Sequence, residues 1–156
     1  MAIVETRYAV PGWGVGAVWS RDGVVLANDF RFGQVPDTVS DTGSDELISS
    51  VRAFLRGDDV SFADVALDLT WATPLERSIV DALRAVPRGE VVSYGELAAL
   101  AGRPRAPRAA GAVCAKNPFA FIVPCHRVVA ANGIGGYGAT GVAIKRRLLA
   151  LEGVEL

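Results

Sequence analysis

Residues 3–10, 13–20 and 23–30 are dense in Val, Ile, Trp, Tyr and Phe, and Arg21-Asp22-Gly23 interrupts the second and third runs. β-Branched and aromatic residues broken by such a turn predict a small antiparallel sheet. Residues 31–43, with Gly33, Pro36, Asp37, Ser40, Asp41 and Gly43, predict a loop. From Ser44 to Arg56 the apolar residues Leu47, Ile48, Val51, Phe54 and Leu55 recur on one face of a helix, and Gly57 follows as its stop. Val65, Leu67, Leu69 and Trp71 then alternate with smaller or polar residues, the period of a strand with one buried face.

The pattern changes at Ala72-Thr73-Pro74. Thr73-Pro74-Leu75-Glu76 is a capping box with Pro at the first helical position, and Leu75, Ile79, Leu83 and Val86 give that helix an apolar stripe up to Pro87-Arg88-Gly89. Glu90-Val91-Val92 reads as a short extended piece. Ser93-Tyr94-Gly95-Glu96 is a second capping box, opening a helix with Leu97, Leu100 and Ala101 inward. Gly102-Arg103-Pro104 breaks it, and residues from about 106 to 116 form another helix. Two short helices joined by a three-residue turn containing glycine predict a helix-turn-helix, with the second helix as the DNA reader. Its face of Ala109, Ala110, Gly111, Ala112 and Ala115 lacks the amides and hydroxyls that read base edges, so close approach without sequence readout is expected. Residues 132–141 are glycine-rich but lack the Gly-Lys-Ser/Thr ending of a phosphate loop, which leaves a mobile loop closing over a substrate. A last helix runs from about Val142 to Leu151, with Leu148, Leu149 and Leu151 inward and Lys145, Arg146 and Arg147 outward. The fold class is therefore α+β. An N-terminal domain, 1–72, carries the small sheet and a helix, and a mostly helical C-terminal domain, 73–156, carries the helix-turn-helix and the reactive-cysteine segment.

Composition narrows the functional classes. With 51% hydrophobic and 21% charged residues, a chain of 156 is an ordinary globular protein able to bury a core. No run of eighteen apolar residues occurs and the first residues lack a basic-then-apolar leader, so an intracellular protein of cytoplasm or nucleoid, without a membrane contact, is expected. Two cysteines and one histidine exclude the usual structural zinc sites, no cofactor is expected, and the acids of the first part, Asp58-Asp59 among them, read as solvated surface. Cys114 and Cys125 have the option of pairing, but one reactive and one buried reduced thiol fits an intracellular chain better.

The net charge of −1 conceals an asymmetry. Residues 1–72 hold five Arg against eleven Asp/Glu, net −6, whereas residues 73–156 hold eleven Arg/Lys against six Asp/Glu, net +5. Residues 97–151 contain no acid beside Arg103, Arg105, Arg108, Lys116, Arg127, Lys145, Arg146 and Arg147. Such clustering is the footprint of a phosphate-backbone binder, with a solvated basic face as the bland alternative.

Chemistry concentrates at Asn117-Pro118-Phe119-Ala120-Phe121-Ile122-Val123-Pro124-Cys125-His126-Arg127-Val128-Val129, where an apolar run delivers a thiol, the only imidazole and a guanidinium in succession. Cysteine attacks as the thiolate and needs a base or cation beside it. On an extended chain adjacent side chains point to opposite sides, so Cys125 and His126 would communicate through a water.

Here the sequence resembles the O6-alkylguanine-DNA alkyltransferases, which take an alkyl group from guanine onto their own cysteine. The resemblance rests on Pro124-Cys125-His126-Arg127-Val128, Ser93-Tyr94-Gly95-Glu96-Leu97, Arg108-Ala109-Ala110-Gly111, Asn117-Pro118, Gly135-Gly136-Tyr137 and Leu148-Leu149-Ala150-Leu151-Glu152-Gly153, over about residues 73 to 153. It implies single-turnover, irreversible repair of O6-alkylguanine in duplex DNA, with O4-alkylthymine left open as a second substrate. It assigns Cys125 as nucleophile, His126 as base through a water, Glu152 as the carboxylate orienting it, and Tyr94 as donor to the departing purine. Val128, Tyr137 and Asn117 are implied at the substrate pocket, Asn117 as the hinge between the helix and the reactive segment. Arg108 is implied to fill the gap left by a flipped nucleotide, with Arg105, Ser93, Ala109 and Gly111 also at the DNA, in the minor groove. A monomer without an obligate protein partner is expected.

This sequence departs from the family pattern in the lengths of the loops around Tyr137, which bears on bulky alkyl groups, and in Pro107 directly before Arg108. Three other readings remain: a silent lesion sensor of the same fold, for which Cys125 is superfluous; a helix-turn-helix transcription factor, which likewise needs no Cys125; and a Cys-His hydrolase, for which no oxyanion site is evident.

Overall fold

The structure is a computed structural model that describes residues 2–38 and 45–156. The predicted loop residues 39–43 and the predicted first helical residue, Ser44, lie outside the described residues. The chain divides into two compact units: Met1–Asp68 with Pro118–Ala120, and Leu69–Asn117 with Phe121–Leu156.

The first unit is built on a three-stranded antiparallel sheet of β1 (Val4–Val10), β2 (Gly14–Arg21) and β3 (Val24–Phe32), in that order. The β2–β3 hairpin closes through Asp22 and Gly23, both at positive φ (53° and 79°), the pattern a two-residue turn matching strand twist requires. Helix α1 (Glu46–Leu55) starts at Asp45, whose side chain accepts the Ile48 N–H. It buries Ile48, Val51, Phe54 and Leu55, each worth about 1.5–3 kcal/mol of removed apolar surface.

The predicted strand at Val65–Trp71 does not form. Only Leu67 bridges to Val25, through Val25 N–H to Ala66 O (2.8 Å) and Asp68 N–H to Val25 O (2.8 Å). The β3 edge cannot take a longer partner, because three residues further on it is occupied by a segment from far along the chain. Asn28 N–H donates to Pro118 O (2.9 Å), Ala120 N–H to Asn28 O (3.0 Å), and Asn28 Nδ2 to Ala120 O (2.9 Å). Tyr8 O–H completes this buried clamp by donating to Asn28 Oδ1 at 2.7 Å.

Within the second unit, which starts at Leu69, the first helix begins where the capping box predicts. In α2 (Pro74–Arg84) Thr73 Oγ1 accepts the Glu76 N–H and the Glu76 carboxylate accepts the Thr73 N–H; Ile79, Val80 and Leu83 are buried. A two-residue strand β4 (Val92–Ser93) leads into α3 (Tyr94–Leu100), opened by the Ser93–Glu96 capping box. Leu97 and Ala98 are its buried residues; Leu100, expected inward, is 63% exposed. Helix α4 (Pro107–Lys116) packs against α3, and α2 packs against both. The connection between α3 and α4 spans 101–106 rather than three residues. Beyond a single 3-10 turn at Cys125–Arg127, strand β5 (Val128–Val129) pairs in parallel with β4, and α5 (Val142–Leu151) ends the regular structure. Among the described residues no helix is long and apolar enough to cross a membrane.

Candidate active site

The reactive segment is not extended, as the alternation argument expected. Cys125, His126 and Arg127 form one 3-10 turn, closed by Arg127 N–H to Pro124 O at 3.0 Å. Three residues per turn spread their side chains about 120° apart, so the thiol faces away while the imidazole and the guanidinium converge elsewhere. The turn is entered through Phe121, a buried aromatic at φ 68°. Such a conformation is an outlier for a bulky residue and persists only where surrounding packing holds it.

Asn117, just past the end of α4, fixes the thiol. Its Nδ2 donates to Val123 O at 2.9 Å and to Cys125 Sγ at 3.1 Å. Cys125 Sγ also lies 3.8 Å from the Cys114 carbonyl oxygen. The neighbouring Cys114, followed by burial, pushes the Cys125 thiol well above its ordinary value, while Cys125 draws Cys114 down.

His126 and Arg127 meet on Glu152, the residue that ends α5. His126 Nε2 stands 3.1 Å from Glu152 Oε2, and Arg127 binds the same carboxylate through Nε (3.0 Å to Oε1) and Nη2 (2.6 Å to Oε2), with Nη1 on Val86 O at 2.7 Å. Burial opposes ionisation of Glu152, but the His126 and Arg127 bonds prevail and hold it at about 2. They also outweigh the unfavourable position of an acid at a helix C-terminus. Gly153 at φ 79° lets the chain turn away, with Val154 N–H on Leu149 O and Gly153 N–H on Ala150 O. Burial, together with the charges of Arg127 and Lys145, lowers His126 against the pull of Glu152, so the imidazole is neutral at neutral pH.

Two phenols and one ammonium share the neighbourhood of the thiols. Tyr94 is pushed up by burial and then by Cys114 and Cys125; its ring packs over Gly111, where an added Cβ would lie 3.9 Å away. Tyr137 is pushed up by burial, the same two thiols and Glu152. Lys145, expected outward, is fully buried. It donates through Nζ to Val128 O (2.6 Å) and Gly136 O (2.9 Å), tying β5 to the glycine-rich loop. Burial lowers it, and the two thiols act in the opposite sense. Lys145 precedes Leu148 and Leu149 by three and four positions, so helical periodicity alone puts it on their buried face.

The structure thus gathers Cys125, His126, Glu152, Tyr94, Tyr137, Asn117 and Val128, and adds Arg127, Lys145 and Cys114. Arg127 and Lys145 are buried, so neither belongs to a basic surface. Ser93 serves as the α3 cap. Arg105 and Arg108 are exposed at the start of α4, with Ala109 half-buried beside them. A cavity of about 570 Å³ in this unit, lined by Ala82, Ala85, Val86, Pro87, Val91 and Leu100 among others, holds no thiol or imidazole. Among the described residues no group of three or more His, Cys, Asp or Glu is placed to hold a metal ion.

Comparison with known proteins bears on the family and the fold. Residues 74–154 match the family described as 6-O-methylguanine DNA methyltransferase, DNA binding domain. The chain is 36% identical over 146 residues to a methylated-DNA–protein-cysteine methyltransferase of Methanothermobacter thermautotrophicus, covering 91% of this chain and 81% of the relative. A Salmonella typhimurium protein of the same name is 42% identical over 121 residues, covering 77% and 70%. Among solved structures, Mycobacterium tuberculosis OGT in complex with DNA superposes with a TM-score of 0.76 at 32% identity, covering 94% of this chain and 92% of that one. The O6-methylguanine-DNA methyltransferase of Pyrococcus kodakaraensis gives 0.71 at 27% identity, covering 98% and 100%.

Proposed function

Because the chain belongs to the 6-O-methylguanine DNA methyltransferase family, whose work is DNA repair by alkyl transfer to a cysteine of the protein, we propose that Cys125 is the acceptor and O6-alkylguanine in duplex DNA the substrate. The observation that carries this reading is the 3-10 turn that presents the Cys125 thiol to one side while locking neutral His126 onto the ionised Glu152 on the other.

The thiol, pushed up by Cys114 and by burial, rests protonated at neutral pH, so transfer needs a base. With Nε2–H donated to Glu152, the His126 lone pair is on Nδ1. It takes the thiol proton through a water, and Glu152, held by Arg127, stabilises the resulting imidazolium. The Cys125 sulfur attacks the alkyl carbon; the carbon–O6 bond breaks, and its electron pair leaves with guanine, which Tyr94 O–H meets with a hydrogen bond or proton. The product is a thioether with no facile route back to thiol, so each molecule reacts once.

DNA reaches the site through α3 and α4 acting as a helix-turn-helix in the minor groove, where the small face of α4 permits close approach. A guanine O6 within a duplex is inaccessible to the thiol, so the nucleotide rotates out and exposed Arg108 takes its place. Exposed Arg103 and Arg105 are available to phosphates.

Incubation with a duplex carrying one O6-methylguanine, followed by intact mass and peptide mapping, tests the reading. One methyl on Cys125 is expected, and Cys125→Ser should bind the duplex without gaining mass. A methyl on Cys114, or wild-type binding without any adduct, would overturn it, the latter in favour of a lesion sensor.

A further inference from the structure

The transfer reaction leaves the second thiol without a task. Cys114 lies in the last turn of α4, and the Asn117 amide three residues on holds Cys125 Sγ in the same pocket. Cys125 Sγ is 3.8 Å from the Cys114 carbonyl oxygen, which puts the acceptor sulfur against the main chain of the second cysteine. Both are half-buried, open to a small oxidant and to a small reductant. A disulfide needs its sulfurs about 2.05 Å apart, and with the Cys125 sulfur already 3.8 Å from the Cys114 carbonyl oxygen, side-chain rotation and a local backbone adjustment bring the two sulfurs together.

We propose that Cys114 is a resolving cysteine, and that a peroxide converts Cys114 and Cys125 into an intramolecular disulfide that stores the acceptor thiol in recoverable form. One thiolate sulfur attacks a peroxide oxygen; the O–O bond breaks, giving a sulfenic acid and water once the proton is delivered. The other sulfur then attacks the sulfenic sulfur, the S–O bond breaks, and a second water leaves as the S–S bond forms. Two thiols and one hydrogen peroxide yield one disulfide and two waters, the two electrons passing from sulfur to peroxide. Thiolate is the oxidisable form, and the Lys145 cation favours it at both sulfurs. The alternative fate, sulfinic or sulfonic acid, is irreversible, and a protein with a single acceptor has no second thiol to substitute for it. The disulfide depends only on the two neighbouring thiols; its effect on repair rests on Cys125 being the acceptor.

The test treats the reduced full-length chain with a modest excess of hydrogen peroxide, alkylates residual thiols, and records intact mass, peptide map and methyl transfer from O6-methylguanine duplex. The wild type should lose two hydrogens, about 2 Da, take up no alkylating agent, yield a Cys114–Cys125 cross-linked peptide, and transfer no methyl until dithiothreitol restores it. Cys114→Ser and Cys114→Ala should transfer methyl before oxidation, but after the same treatment carry two or three oxygens on Cys125 and fail to recover. If either variant misfolds, the wild-type peptide map still decides. Wild type that gains oxygens on Cys125 without the cross-link, or links between molecules instead, overturns the proposal. A cross-link that leaves transfer intact would keep the disulfide and refute Cys125 as acceptor.

Discussion

Replacing Glu152 by Gln preserves the shape of the side chain and removes the charge on which His126 and Arg127 converge. Glu152 is 6% exposed as a residue and Arg127 9%, so the substitution leaves a buried guanidinium without its counter-ion. Breaking a buried pair from one side costs about 3–5 kcal/mol. The amide oxygen still accepts one N–H and Arg127 keeps Val86 O, so the lower end, about 3 kcal/mol, is expected. At about 2–4 °C per kcal/mol for a chain of this size, the unfolding midpoint should fall by roughly 6–12 °C. The offset should also depend on pH. Glu152 is held at about 2 against an ordinary 4.5, and a depressed folded value means that its stabilisation is complete above about 4.5 and lost as pH falls towards 2. Calorimetry of both proteins from neutral pH downward should therefore show a constant offset that narrows below about 4.5. Arg127→Met added to Glu152→Gln removes both charges and should recover part of the loss. An offset below about 2 °C at neutral pH, or one that does not narrow in acid, would refute the reasoning.

Arg108→Ala should slow reaction with duplex DNA roughly tenfold or more while leaving the rate with a free O6-alkylguanine base near that of wild type, whereas His126→Ala should impair both; second-order rate constants decide, and equal losses for Arg108→Ala would return the arginine to a structural role. Lys145→Met deprives Val128 O and Gly136 O of a charged donor, worth about 1.5–3 kcal/mol per bond. Relief of a buried ammonium offsets part of this, for a net loss of about 2 kcal/mol. Limited proteolysis should then cut residues 132–141 faster than in wild type; unchanged cleavage would mean that the lysine does not anchor the loop.

Much of this architecture was readable without coordinates because its signals are local. Both capping boxes form as spelled by Thr73–Glu76 and Ser93–Glu96, since their hydrogen bonds span three residues. The final helix occupies 142–151 as its periodicity predicts. Misreadings occurred where distant chain decides. The alternation at Val65–Trp71 is genuine, but the β3 edge that Leu67 reaches is taken three residues on by residues 118–120. Arg127 reads as surface charge because nothing in its own neighbourhood shows that Glu152 awaits it, whereas Lys145 shares the helical face of Leu148 and Leu149 and only its charge speaks for the surface. The site residues were named through ordered motifs, whereas the turn that aims them arises from Pro124 and the strained Phe121. Cys114 had no signal beyond its identity: its importance comes from a neighbour eleven residues away.

The Asn28 clamp also imposes an order in time. A ribosome adding about 5–20 residues per second completes the strand carrying Asn28 roughly 5–20 seconds before residues 118–120 are made. During that interval the hairpins can form, but the Asn28 main-chain N–H and C=O have only water to bind. Closing a loop of some ninety residues is slow compared with closing a hairpin, so the last step in finishing the first unit is also its most non-local. Cys125 is synthesised five residues after Ala120. The thiol proposed as the acceptor is therefore made only as the older half of the molecule becomes able to finish folding.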